Sequence, residues 1–293
     1  MNAIQLVTLA AIWGASFLFM RMGAPAFGVV PLIAVRVGIA ALLLLPALRR
    51  SDARVEFKEH AWPLFVVGVT NSALPFCLLT YAALYVTAGV DSILNATTPM
   101  WTALLAFLWL HIPLKRAQVA GLLIGFAGVV ILAWDAIGEG GNGTSGAVGA
   151  AILATLSYGF SANYSKRRLG AVRPLVSAFG SQLFAAVVLV PGAIFFWPHA
   201  PIDLTNWTAV VLLGTLCTAV AYILYFGLIR NAGAQYAASV TLLIPVFGVL
   251  WGALFLHESV SPRAGLGCVV ILAGIALTTR KFKIRVGRLA APK

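Results

Sequence analysis

Carboxylates are scarce in this chain: its 293 residues hold eight Asp and Glu against twenty Lys and Arg, and charged residues make up only 10%. An ordinary soluble domain carries about 25%, so the shortage excludes a water-soluble globular protein. Cysteine is rare too. Cys77, Cys217 and Cys268 stand far apart inside apolar runs, without CxxC or Cys/His spacing, and so point to neither a disulfide nor a metal site. His60, His111, His199 and His257 fall at the ends of apolar runs, and His257-Glu258 lacks the second histidine of a zinc-protease helix. No Walker lysine motif is present, so ATP does not drive the protein directly. Residues 138–143 satisfy GxGxxG, but no strand precedes them and apolar helices flank them, which makes them a flexible linker rather than a dinucleotide loop. Neither a cofactor nor a catalytic constellation is expected.

What the chain has in abundance is apolar sequence, at 61% of residues. Ten stretches approach the about 20 residues that a helix needs to cross the hydrocarbon layer: 3–20, 31–48, 62–86, 92–110, 119–134, 147–165, 174–197, 207–229, 236–256 and 264–279. They are continuous rather than alternating, which argues against a barrel. The first run lacks a basic flank and a clear cleavage site, and is read as a span rather than a removed signal. The expected fold is an all-α integral membrane protein of ten transmembrane helices.

With the connections numbered alternately, seventeen bases fall on one side, in 49–58, 115–116, 166–173, at Arg230 and in the tail 280–293. The other side receives only Arg21 and Arg263, and Arg36 is left inside a span. The positive-inside rule then places both termini in the cytoplasm. The charge is thus read as membrane orientation and not as a nucleic-acid footprint, with the tail 281–293 as an anchor to anionic lipid.

Sliding the chain on itself by 145 or 146 positions aligns Trp13-Gly14 with Tyr158-Gly159, Ser16 with Ser161, Arg21 with Lys166, Pro99 with Pro245, His111 with His257, and Ala127-Gly128 with Ala273-Gly274. Two five-helix units are expected, residues 1–137 and 147–280, joined by the Gly-rich linker 138–146. Because five is odd, the second unit enters the membrane inverted relative to the first, the arrangement that transporters use to build two exchangeable half-channels around a central site.

Polar residues inside hydrocarbon are costly and should face a cavity or a partner helix. They form stripes at helical spacing, Ser92, Asn95, Thr98 and Thr102 in the fourth run and Thr215, Thr218, Tyr222 and Tyr225 in the eighth, whereas the fifth and tenth runs offer almost none and are rich in glycine. The fifth and tenth are therefore read as scaffold or dimer contacts, the others as walls of an aromatic and hydroxyl-lined cavity. Pro99 and Pro245 sit at matching places and are candidate hinges, with Gly248 permitting close approach. Arg36 is read as snorkelling to the nearer interface or bonding helix ends, with an anionic group such as a carboxylate as the alternative partner. All eight acids are placed at span ends or in loops, so transport is expected without obligatory protonation of an intramembrane carboxylate.

Trp13-Gly14 with Ser16 and Phe17, Arg36, Pro99, Pro245, and the endings Leu110-His111 and Leu256-His257-Glu258 together resemble the drug/metabolite transporter superfamily. More narrowly the chain resembles the EamA-type exporters, among them the YddG-like aromatic and neutral amino acid exporters of bacterial inner membranes. The resemblance implies a basket in which helices one to four and six to nine surround a central cavity. By position it carries substrate contact onto Trp13, Tyr81, Asn95, Thr98, Trp101, Tyr158, Asn163, Tyr222 and Tyr225. Such families usually end the fourth helix of each repeat with a glutamate; here Glu258 keeps it and Ile112 replaces it.

The expected function is export of amino acids and related small metabolites by alternating access, as a monomer or weak homodimer in the bacterial inner membrane, with the lipid bilayer and a small-molecule substrate as partners and no nucleic acid. Another solute (a nucleoside, a sugar or an amphipathic cation) is the alternative, followed by an intramembrane enzyme, for which no convergent acid or histidine cluster is visible.

Overall fold

A computed structural model describes residues 2–139 and 141–279. The tail 281–293 read as a lipid anchor lies outside the described residues. Among these residues there is no strand, and nine helices are long and apolar enough to cross a membrane: α1 (Asn2–Phe27), α2 (Val29–Leu48), α3 (Ala61–Ala82), α4 (Ala88–Leu110), α5 (Arg116–Gly138), α6 (Thr144–Arg168), α7 (Pro174–Phe195), α8 (Leu204–Ala232) and α9 (Tyr236–Leu256). The tenth expected span is a shorter apolar helix, α10 (Pro262–Thr278), rising about 25 Å against the ~30 Å of hydrocarbon. By length and composition, nine of the ten expected spans are therefore found among the described residues. Large apolar side chains such as Leu42, Trp62, Trp134, Phe195 and Leu204 stand exposed on the outside, as suits a surface solvated by lipid.

Cross-chain contacts sort into two ends. Phe27 meets Trp197 and Trp207 edge-on, and Ser261 hydrogen-bonds Asp135. At the opposite, basic end, Gln5 Nε2 donates to the Leu224 carbonyl at 2.9 Å, and Trp109 stacks on Phe160. The short surface helix Ser51–Glu59 is tied there to the start of α7 by Arg173, whose guanidinium donates to Glu56 at 2.7 Å and to Asp52 at 2.9 Å. The hydrogen bond to Glu56 raises the Arg173 pKa. Partial desolvation pushes the Asp52 carboxyl up, but the charges of Arg173 and Arg50 outweigh it and hold the group below its usual value.

Several local features recur at the 145–146 spacing. Helices α4 and α9 both end on a histidine in the left-handed region, His111 and His257, each with φ 54°; the following amides, of Ile112 and Glu258, return to the Ala106 and Gly252 carbonyls at 3.1 and 3.2 Å. Helices α3 and α8 both widen to a π turn, at Val69–Ala73 and Thr215–Val220. The packing is reciprocal: Gly14 of α1 lies against Phe247 of α9, and Gly159 of α6 lies against Trp101 of α4.

Helices α5 and α10 run antiparallel against each other at van der Waals distance. A Cβ on Gly274 would stand 2.4 Å from the Gly125 nitrogen, and one on Gly128 would stand 2.7 Å from the Ile271 nitrogen. With hydrophobic partitioning unavailable between helices already in lipid, such close backbone approach is a main source of their attraction. Gly274→Leu is expected to cost about 1–3 kcal/mol of overpacking and to lower the thermal midpoint in detergent. Gly265→Ala on the same helix, where an added Cβ meets nothing within 4 Å, is expected to leave the midpoint unchanged or slightly raised.

Candidate functional site

Between the helices lies a cavity of about 760 Å³, inside the ~300–1,000 Å³ range of small-molecule sites. Side chains from α1, α2, α3, α4, α6, α7, α8 and α9 line it, and none from α5 or α10 does. The two helices whose central stretches, 119–134 and 264–277, hold no hydroxyl, amide or charge therefore stand aside from the space.

Trp13, Asn95, Thr98, Tyr158, Tyr222 and Tyr225 line the cavity. Trp13 and Tyr225 pack at 5.2 Å between centroids, and Tyr222 accepts a hydrogen bond from Asn71 at 3.2 Å, linking the two π-turn helices. The other three positions lie elsewhere. Tyr81 packs on Tyr85, Trp101 meets Phe126 of α5 at 4.9 Å, and the Asn163 amide donates to the Thr102 and Gly159 carbonyls at 2.9 Å.

Thr218 of the eighth-run stripe and Asn71 of the third run also line the cavity, and the structure adds Phe76, Cys217 and Ser181. Asn71, Cys217 and Thr218 sit within the two π turns, which favour functional sites because the extra residue re-aims the side chains around it. Arg36 is corrected most. It does not snorkel but lines the cavity at 4% exposure, its Nε donating to Thr218 Oγ1 at 3.0 Å and its guanidinium carbon 3.8 Å from the centre of the Phe76 ring.

The hinge candidates also differ from one another. Helix α4 is broken after Asn95, and Pro99 opens its second segment, whereas Pro245 lies inside a continuous run from Val240 to Leu256. Gly248 packs tightly, since a Cβ there would stand within 2.5 Å of the Ser92 side chain.

The cavity is closed at one end. Its lining reaches the basic end, through Lys166 near the end of α6 and Gly170, Val172 and Ala234 of the connections, and no described residue of the opposite connections contributes. At that opposite end four helices are tied together. Glu258, just after α9, faces Arg21 of α1 at 3.3 Å and accepts from the Ala88 amide of α4 at 2.9 Å, while Arg21 donates to the Ala83 carbonyl beyond α3 at 2.6 Å. Asp91, one turn before Asn95 on α4, is fully buried, and neither carboxyl oxygen has a hydrogen-bond partner among the described residues. It belongs to a span rather than to a loop, because α4 begins four residues before the expected 92. That removes the ground for expecting transport without intramembrane carboxylate protonation.

Comparison with known proteins agrees with a transport cavity. The family model described as the EamA-like transporter family matches residues 1–134 and 145–280. The uncharacterized transporter YvbV of Bacillus subtilis is 26% identical over 96% of this chain and 92% of its own length. A probable terminal-alkyne amino-acid exporter of Streptantibioticus cattleyicolor is 27% identical over 94% of this chain and 92% of its own. A solved crystal structure shares the fold, with a TM-score of 0.66 at 20% identity over 94% of this chain and 95% of that one. The matching family and the two named relatives are transporters, not enzymes. The chain, a multi-pass membrane protein, belongs to the EamA-like transporter family.

Proposed function

We propose that the protein exports amino acids and related small metabolites across the bacterial inner membrane by alternating access, with both termini in the cytoplasm. In this reading α1–α5 and α6–α10 are two inverted five-helix halves, α10 completing the tenth crossing. The two segments matched by the family model and the reciprocal contacts of Gly14 with Phe247 and Gly159 with Trp101 support it. So does the named amino-acid exporter among the relatives.

The observation that carries the reading is a cavity of ligand size lined to one end and tied shut at the other by Arg21 and Glu258. A channel needs a continuous path, and here the four-helix tie interrupts it. In this shape solute enters from the basic end. Reversal requires the tie to break and the halves to exchange roles, with the interrupted α4 around Pro99 as the pivot.

Purified protein in proteoliposomes is expected to give saturable flux of amino acids that outcompetes nucleosides and sugars. Saturable flux of a nucleoside or sugar, with amino acids inert, would replace this substrate class. The tie is tested by thiol labelling of Asn95→Cys with Cys77, Cys217 and Cys268 changed to Ser. An impermeant reagent is expected to reach residue 95 from the basic end alone, and Glu258→Gln is expected to raise labelling from the opposite end several-fold. Equal labelling from both ends before that change would contradict a closed outer end.

A further inference from the structure

Among the described residues, Arg36 is a buried cation without a counter-ion. No carboxylate lies within 4.0 Å of it among the described residues. Its Nε is held by Thr218 Oγ1 at 3.0 Å, its Nη1 by the Met20 sulfur at 3.5 Å, and its plane lies over Phe76. Those contacts engage two of the five N–H donors that a guanidinium carries. The Thr218 hydroxyl in turn donates to the Leu213 carbonyl at 2.7 Å, so Thr218 is fixed as an acceptor toward Arg36 and the guanidinium fork is held in one orientation. Removing a guanidinium from water without an anion is costly, and a thioether and a ring face offset only part of that cost.

The rest of the cavity gives the fork its use. Arg36 and Lys166 are the charged residues of the lining, which contains no Asp or Glu. Lys166 stands at the basic end, where the cavity meets the connections, whereas Arg36 sits deep, beside Met20 and close to the closed end. The face of Phe76 lies against the fork, and Trp13, Tyr158 and Tyr225 line the same cavity. A cation is disfavoured in such a space and a neutral sugar leaves the fork unmatched, whereas a carboxylate pairs with it through charge-assisted, bidentate hydrogen bonds.

We propose that Arg36 is the carboxylate-recognition residue of the cavity, and that the solute carries a carboxylate on an apolar or aromatic body; this deepens the transport reading and rests on it. Thr218 is the positioning residue that aims the fork. The solute's anionic end lies deepest, against Arg36, and its body lies among the aromatic faces.

The test is ligand-dependent melting of the detergent-solubilised protein with L-phenylalanine, L-phenyllactate and L-phenylalaninamide. The acids are expected to stabilise the protein at concentrations about 10- to 100-fold below those of the amide, the worth of one charge-assisted hydrogen bond. Arg36→Gln is expected to abolish that preference while the amide still acts at its wild-type concentration, an outcome that a purely structural arginine would not produce. If the variant does not fold, the wild-type comparison decides alone. An amide as effective as the acids, a preference that survives in Arg36→Gln, or no stabilisation by either acid overturns the proposal. Stabilisation by phenyllactate but not phenylalanine keeps the carboxylate site and removes amino acids as the solute, which separates the two readings.

Discussion

Hydrocarbon offers no water to a polar group, and that constraint orders this molecule from the single side chain upward. Most hydroxyls are satisfied within their own helix, as Thr70 donates to the Val66 carbonyl, Thr102 to Thr98 and Thr215 to Val211. Others bridge helices: Ser157 reaches the Thr70 carbonyl, Trp251 the Ala11 carbonyl and Asn163 the Thr102 carbonyl. Of the groups that remain, Ser16 and Asn95 line the cavity, whereas Thr80, Asp91 and Ser161 are buried away from it without a hydrogen-bond partner among the described residues. The cavity thus takes part of the polar surplus of eight helices, while α5 and α10, whose central stretches 119–134 and 264–277 hold no hydroxyl, amide or charge, stay away from it and pack backbone against backbone.

The same constraint explains what could be read from the sequence. The polar poverty of α5 and α10 is a one-dimensional property, visible without coordinates, and so was their distance from the cavity. Asn95 and Thr98 on α4, and Tyr222 and Tyr225 on α8, share a face because helical spacing brings them there, and both pairs line the cavity. Tyr81 follows the π turn at Val69–Ala73, and one inserted residue turns every later side chain by about 100° around the axis. Hydropathy carries no sign of that insertion. Trp101 stands six residues after Asn95, about 240° around a helix axis, and so lies off the face that Asn95 and Thr98 share.

Arg36 was illegible for a different reason. Its nearness to the end of a span suggests snorkelling, but snorkelling needs an open path along the helix to the interface. The structure closes that path: Gly214 of α8 lets the two backbones approach until a Cβ there would stand 2.8 Å from the Arg36 carbonyl, and the Met20 side chain of α1 covers the guanidinium. A tertiary approach of this kind depends on which helices neighbour α2, information distributed over the whole chain rather than held near residue 36. The end of α4 was displaced for a simpler cause. Thr87 caps the helix by accepting from the Val90 amide at 3.2 Å, so the helix starts at a polar residue that a hydropathy boundary discounts, and Asp91 is drawn inside.

Under alternating access the two ends must take turns in closing, and here they are not chemically equal. At the end now shut, Glu258 pairs with Arg21 and caps the Ala88 amide. The residues in register with Glu258 and Arg21 are Ile112 and Lys166, which meet at the basic end around a small space with Trp109, Asn163 and Arg167 and without an acid. Closure there has to rely on apolar contact, against like charges on Lys166 and Arg167. Arg21 is a third exposed and Glu258 about a tenth, so their pair contributes on the order of 1 kcal/mol rather than the larger value of a fully buried one. That is enough to shift a balanced pair of states several-fold and too little to lock either of them. On the proposed reading, Ile112, where the resemblance implies a glutamate, biases the resting state toward the shape open at the basic end, the loading shape for export from the side that the basic loops face.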